Sequence, residues 1–113
     1  MHELSLAGEI LRVVESNLVG ENYARVQCLT LQIGDLAGVE SDSLLFALTH
    51  MPCGNLLEST SIRFEPVPGS GYCPDCEKRV AIDFIHSPCI LCGHHPLEHL
   101  DGTSIWIREI ELV

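Results

Sequence analysis

Apolar residues recur at three- and four-residue steps across residues 4–18: Leu4, Ala7, Ile10, Leu11, Val14 and Leu18. Glu9, Arg12, Glu15 and Asn17 fall on the opposite side. That spacing predicts an amphipathic helix with one buried stripe, and Gly20 supplies its stop. Residues 23–33 are rich in Val, Leu, Ile and Thr and predict a strand. Its alternation is imperfect, with Leu29, Leu31 and Ile33 on one face and Val26 and Cys28 on the other. A sheet with helices against one face and partial cover on the second accounts for this. Gly34-Asp35-Leu36-Ala37-Gly38 predicts a loop. A second helix starts at Ser41 or Asp42, either of which can cap it. Leu44, Leu45, Phe46 and Leu48 make it strongly apolar, and Pro52 and Gly54 end it. Residues 61–67 form a second strand with Ile62 and Phe64 on one side, and Pro66, Pro68, Gly69 and Gly71 then mark a boundary.

Residues 72–99 change character. They hold four cysteines and four histidines with few large apolar groups, too little to build a core without a staple. Residues 104–113 return to strand composition with Ile105, Trp106, Ile107, Ile110 and Leu112. The fold class is α/β (α+β): two helices on a three-stranded sheet, with an inserted four-cysteine zinc-ribbon-like domain. The expected division is 1–70 plus 100–113 for the α/β body and 71–99 for the insert.

Composition narrows the function. The chain has 113 residues, enough for one small domain or a domain with an insert. Six Lys+Arg against sixteen Asp+Glu give a formal charge of −10. That balance disfavours nucleic-acid binding, which needs basic surface, and suits cations and basic protein partners. The first twenty residues carry Glu3, Glu9 and Glu15 with no basic start, so no secretory leader is visible. No run approaches the ~18 apolar residues of a membrane span. A cytoplasmic, non-membrane protein is expected, in which cysteines serve as metal ligands or buried thiols rather than disulfides.

Cys73-Pro74-Asp75-Cys76 and Cys89-Ile90-Leu91-Cys92 are two C-x-x-C pairs separated by twelve residues. Each pair sets two thiolates on one tight turn, and two such turns make a closed tetrahedral site of the kind that holds structural zinc. Gly93 suits the sharp turn beneath the metal. A closed four-thiolate shell leaves no open position for hydrolytic chemistry, so the chain reads as a non-enzyme. His86, His94, His95 and His99 crowd the module. They are either solvated loop histidines or an outer ring that responds to pH, with His86, His94 and His95 the candidates. Cys28 reads as a small buried apolar residue. The donors of His50-Met51-Pro52-Cys53 read as an ordinary helix end before a metal site.

The chain start offers a second site. The amine of Met1, the backbone amide of His2 and the His2 imidazole can lie in one plane around an ion. That is the square-planar arrangement favoured by Ni(II) and Cu(II). Glu3 adds a carboxylate or another amide as fourth donor. A frayed, solvated terminus is the plain alternative. An exposed, partly backbone site suits an ion that must be handed on, while an enclosed thiolate site suits a structural one.

The opening Met1-His2-Glu3-Leu4-Ser5-Leu6 and the paired cysteines together resemble the HypA/HybF family of hydrogenase-maturation nickel metallochaperones. Leu31-Gln32-Ile33-Gly34-Asp35-Leu36, Gly38-Val39-Glu40, Glu65-Pro66-Val67-Pro68-Gly69 and Ile107-Arg108-Glu109-Ile110-Glu111-Leu112 extend the resemblance along the whole chain. It implies a nickel domain carrying Met1, His2 and Glu3 as ligands, joined to a zinc domain held by Cys73, Cys76, Cys89 and Cys92. It implies delivery of Ni(II) to the large-subunit precursor of nickel–iron hydrogenase, with a nickel-handling maturation GTPase as partner and urease served by some members. A monomer or weak homodimer is expected. The chain departs from the family in Pro52, which interrupts the second helix, and in the His94-His95 pair. The main competing reading is a zinc-stapled protein-interaction adaptor without nickel transfer. A rubredoxin-type iron centre, a nucleic-acid-binding ribbon and a thiol oxidoreductase are further alternatives.

Overall fold

The computed structural model describes residues 3–50 and 56–113. Helix α1 spans Glu3–Asn17 and buries Ala7, Ile10, Leu11 and Val14, four positions of the sequence stripe. Leu18 is buried just beyond the helix, and Gly20 turns the chain with φ +83°. Leu4, the first position of the expected stripe, stands exposed instead. Strand β1 (Val26–Gly34) starts three residues later than the composition suggests. The reason is local: the N–H groups of Ala24 and Arg25 both bond to the Val113 carbonyl. Two residues opposite one is a bulge, which ends regular pairing.

Helix α2 spans Ser41–Thr49, beginning where expected but with a different cap. Glu40, in an extended conformation, accepts a hydrogen bond from the Asp42 N–H at 3.1 Å, so neither Ser41 nor Asp42 is the capping residue. Leu44, Ala47 and Leu48 are buried, whereas Leu45 and Phe46 face outward. Helical geometry stops at Thr49, with His50 as the C-cap. Pro52 and Gly54 lie outside the described residues.

Strand β2 occupies Ser61–Val67. With β6 (Ile105–Leu112) it flanks β1, giving a three-stranded sheet of order β2-β1-β6. Reciprocal bonds between Arg25 and Val113, and a bond from the Gly34 N–H to Ser104, run β1 and β6 antiparallel. Pro66 is tolerated inside β2 because that strand is at the sheet edge. Leu29 and Leu31 of β1, with Leu44, Leu48 and Leu57, are fully buried. The core is aliphatic, as the scarcity of aromatics requires. Beneath it the Thr60 hydroxyl donates to the Val26 carbonyl at 2.9 Å, so this buried polar group is satisfied.

The Pro/Gly boundary is shorter than the sequence suggests, because a strand begins inside it. Strand β3 (Ser70–Cys73) is the centre of a second antiparallel sheet, with β4 (Lys78–Ala81) and β5 (Glu98–Asp101) on its flanks. Gly71 pairs with Val80 on one side and His99 on the other. The chain divides into two compact units. One draws on the chain up to Leu31, Val39–Phe64 and Ile107–Val113. The other comprises Gln32–Gly38 and Glu65–Trp106, wider than the 71–99 segment read from composition.

A glycine crossing explains why residues 32–38 belong with the second unit. A methyl group on Gly34 would sit 2.1 Å from the Gly102 carbonyl oxygen, and one on Gly102 would sit 2.6 Å from the Gly69 Cα. Three backbone segments therefore touch where only glycine fits. Bonds from Asp35 N–H to Val67 and from Leu36 N–H to Gly102, each 2.8 Å, lock them together.

Candidate metal centres

The second unit is built around sulfur. Cys73 closes β3 and Cys76 sits in the next turn, which Glu77 leaves with φ +52°. The Cys76 N–H points back at the Cys73 Sγ at 3.4 Å, and the Leu91 N–H points at the Cys89 Sγ at 3.4 Å. Gly93, at φ +80°, returns its N–H to the Cys89 carbonyl at 2.8 Å. Both pairs thus form tight knuckles whose N–H groups favour thiolates. Buried Cys73 and Cys89, with Val80, Ile82 and Leu97, make the small core of this unit. Leu36 and Cys76 pack against it.

The four Sγ atoms lie within 4.8 Å of one another. Cys73 and Cys92 are 3.5 Å apart, and Cys76 and Cys89 are 3.9 Å apart. A tetrahedron with metal–sulfur bonds of about 2.3 Å has edges of about 3.8 Å. The donor set therefore fits zinc in chemistry and spacing, with all four thiols unbridged.

The thiols do not share their protons evenly. Cys76 is pushed up to about 12, first by its bond with the Cys92 thiol, then by burial and its bonds with Cys89 and Cys73. Burial is the largest influence on Cys89 and would raise it. The Cys92 and Leu91 backbone N–H groups, aided by the Cys73 and Cys92 thiols, outweigh burial and draw it down to about 7. For Cys92 the His94 backbone N–H acts most strongly and lowers it. Burial and the Cys73 and Cys89 thiols carry the net shift upward. Crowded thiols resist becoming thiolates together, and a dication removes that resistance.

Of the histidines expected around this site, the structure ties His94 into it. Its Nδ1 lies 2.8 Å from the Asp75 carboxylate, joining one knuckle to the other. His86 and His95 stand exposed, and His99 Nε2 meets the Ile85 carbonyl at 2.6 Å. Cys28 is buried in β1. His50 stacks on Phe46 with ring centroids 4.2 Å apart, and its Nδ1 lies 3.0 Å from both the Phe46 carbonyl and the Thr49 hydroxyl. That is a helix-end role. Met51 and Cys53 lie outside the described residues.

Met1 and His2, the expected nickel ligands, also lie outside the described residues. Glu3 does not. It opens α1, and its carboxylate accepts a hydrogen bond from the Glu40 N–H at 3.3 Å. The N-termini of both helices therefore meet at this contact. Glu40 was not picked out by motif reasoning. The available signal was Glu40 directly before the second helix, inside a segment already matched to a family pattern.

The model of the family described as "Hydrogenase/urease nickel incorporation, metallochaperone, hypA" matches residues 1–112. The hydrogenase maturation factor HypA of Cupriavidus necator is 39% identical over 110 residues, covering 97% of this chain and 92% of that protein. The HypA of Dechloromonas aromatica is 32% identical over 112 residues, covering 99% of each. In fold, the solution structure of the Ni metallochaperone HypA from Helicobacter pylori superposes with a TM-score of 0.72 at 14% identity, over 100% of this chain and 98% of that one. This chain belongs to the HypA family of hydrogenase/urease nickel-incorporation metallochaperones.

Proposed function

We propose that this chain carries Ni(II) at its N-terminus and hands it on for nickel–iron hydrogenase maturation, with urease as a second acceptor. The ion is cargo. Its ligands are the Met1 amine, the His2 amide and imidazole, and Glu3. Glu40 is a neighbouring acidic group: its N–H reaches the Glu3 carboxylate, while its own carboxylate caps α2. The observation that carries this reading is the family match over residues 1–112. The Glu3 carboxylate, held by the Glu40 N–H, adds physical support, since it fixes one expected ligand in place.

The division of labour follows from the donors. Cys73, Cys76, Cys89 and Cys92 would hold zinc as a closed structural ion, supplying cross-links that a five-residue core cannot. The nickel donors are few, exposed and partly backbone. They must shed protons to bind, so acid releases the ion. His94, fixed by Asp75 between the knuckles, is the histidine best placed to make the zinc module respond to pH, with His86 and His95 further out. The working setting is the cytoplasm, with a nickel-handling maturation GTPase and the hydrogenase large-subunit precursor as partners, and the chain a monomer or weak homodimer. No helix of the described residues is long and apolar enough to cross a membrane.

The test is hydrogenase activity in cells whose only copy of this chain carries His2→Ala. At limiting nickel, activity is lost and is restored by excess nickel salt. Full activity at limiting nickel contradicts the proposal.

A further inference from the structure

Residues 84–97 contain no Asp, Glu, Lys or Arg, in a chain of formal charge −10. Within residues 84–91 four large apolar side chains are turned to solvent: Phe84 is 74% exposed, Ile85 44%, Ile90 78% and Leu91 63%. Single exposed apolar residues are ordinary, but four in eight positions are not. The segment is also bonded to itself. The Phe84 N–H donates to the Ser87 hydroxyl at 3.1 Å and the Ser87 N–H to the Phe84 carbonyl at 3.0 Å. Ile90 and Leu91 ride between two cysteines of the sulfur site, with the Leu91 N–H on Cys89 Sγ. Apolar surface free of Asp, Glu, Lys and Arg is what the centre of a protein interface requires, since such centres are depleted of charged side chains. Asp83 and Glu98 flank the charge-free stretch at its two ends.

We infer that residues 84–91 form a docking surface for a different protein, one presenting an apolar recess rimmed by basic residues. Charge selects this occupant over a second copy of the chain, because each copy carries a formal −10 and has an acidic residue, Asp83 or Glu98, at either end of the stretch. The surface is distinct from the nickel donors. It rests on the carrier reading only for the choice of probes, the purified maturation GTPase and the purified large-subunit precursor.

The experiment measures binding of full-length, zinc-loaded chain to each probe at low and high salt, beside Ile90→Ser/Leu91→Ser and, separately, Phe84→Ser. Zinc content and circular dichroism verify folding. The expected result is a Kd at least about tenfold weaker in the variants for one probe, with wild-type affinity falling as salt rises. Amide exchange of wild type with and without that probe shows protection over 84–91, which keeps the test valid if a variant misfolds. Unchanged affinity for both probes, no affinity of wild type for either, or a variant that instead abolishes self-association each overturns the inference. Nickel titration of the same proteins separates the two readings: docking without nickel binding refutes the carrier and leaves the surface standing.

Discussion

Gly34→Ala tests the glycine crossing that holds residues 32–38 to the second unit. The added methyl would sit 2.1 Å from the Gly102 carbonyl oxygen and 2.2 Å from its carbonyl carbon, where ordinary contact begins at 3.4 Å. Both obstacles are backbone and no rotamer relieves them. The two segments must part by more than about 1 Å. That movement breaks the bonds from Gly34 N–H to Ser104 and from Leu36 N–H to Gly102, now 2.9 and 2.8 Å. Two backbone groups left unpaired at about 1–2 kcal/mol each, with about 1 kcal/mol of residual overpacking, give a loss of about 3–5 kcal/mol. For a chain of this size that is roughly 15–25 °C in Tm. Gly8→Ala is the control. Gly8 lies inside α1 with nothing within 4 Å of an added methyl, so this change should stabilise by about 0.5–1 kcal/mol. The assay is thermal and urea unfolding of zinc-loaded protein by circular dichroism, with zinc release followed by a coloured chelator. A Gly34→Ala protein within about 0.5 kcal/mol of wild type refutes the reasoning, because no side chain is available to absorb the clash.

Leu29→Ala, at a fully buried site in the central strand, should cost about 3–4 kcal/mol by urea unfolding and leave the nickel stoichiometry of the folded fraction unchanged. Glu40→Ala should remove the α2 cap, cost about 1 kcal/mol and weaken Ni(II) binding while zinc content stays at wild type; equal nickel affinity would exclude Glu40 from the site. In metal-free, reduced protein, Cys89 should be alkylated with a midpoint near pH 7 and Cys76 should react last, as peptide mass spectrometry would reveal. The sign for stability follows. A thiol drawn below its ordinary 9.0 favours the folded state above that value and loses the contribution as pH falls through about 7. Cys76, raised to about 12, favours the folded state below 9.0 and loses it as pH rises through about 12. The Cys89 contribution to metal-free stability should therefore grow between pH 7 and 9.

Much of this was legible because the relevant signals are local. The α1 stripe is a repeat of three and four, and β2 spans the residues where composition placed it. The cysteine set is written in its own spacing, and the structure draws those four sulfurs together. What escaped is long-range. Strands β3, β4 and β5 are four residues each and rich in polar side chains, and they exist through pairing with one another across up to thirty-one positions, as Ser70 with Asp101. Gly34 and Gly69 read as turn residues one at a time; their meeting with Gly102 is a property of the fold. The Glu3–Glu40 contact spans two helices and has no periodic trace. Leu4 obeyed the helical repeat yet stayed exposed, since periodicity assigns a face and not what covers it.

The central claim is that the chain binds nickel through its own first residues. It is tested most directly by titrating Ni(II) into untagged, zinc-loaded protein beside His2→Ala, by calorimetry and visible absorption. The account predicts a near-stoichiometric site with a square-planar absorption band in wild type, lost in His2→Ala while zinc content and circular dichroism are retained. Equal nickel binding by the two proteins, or none by either, contradicts it.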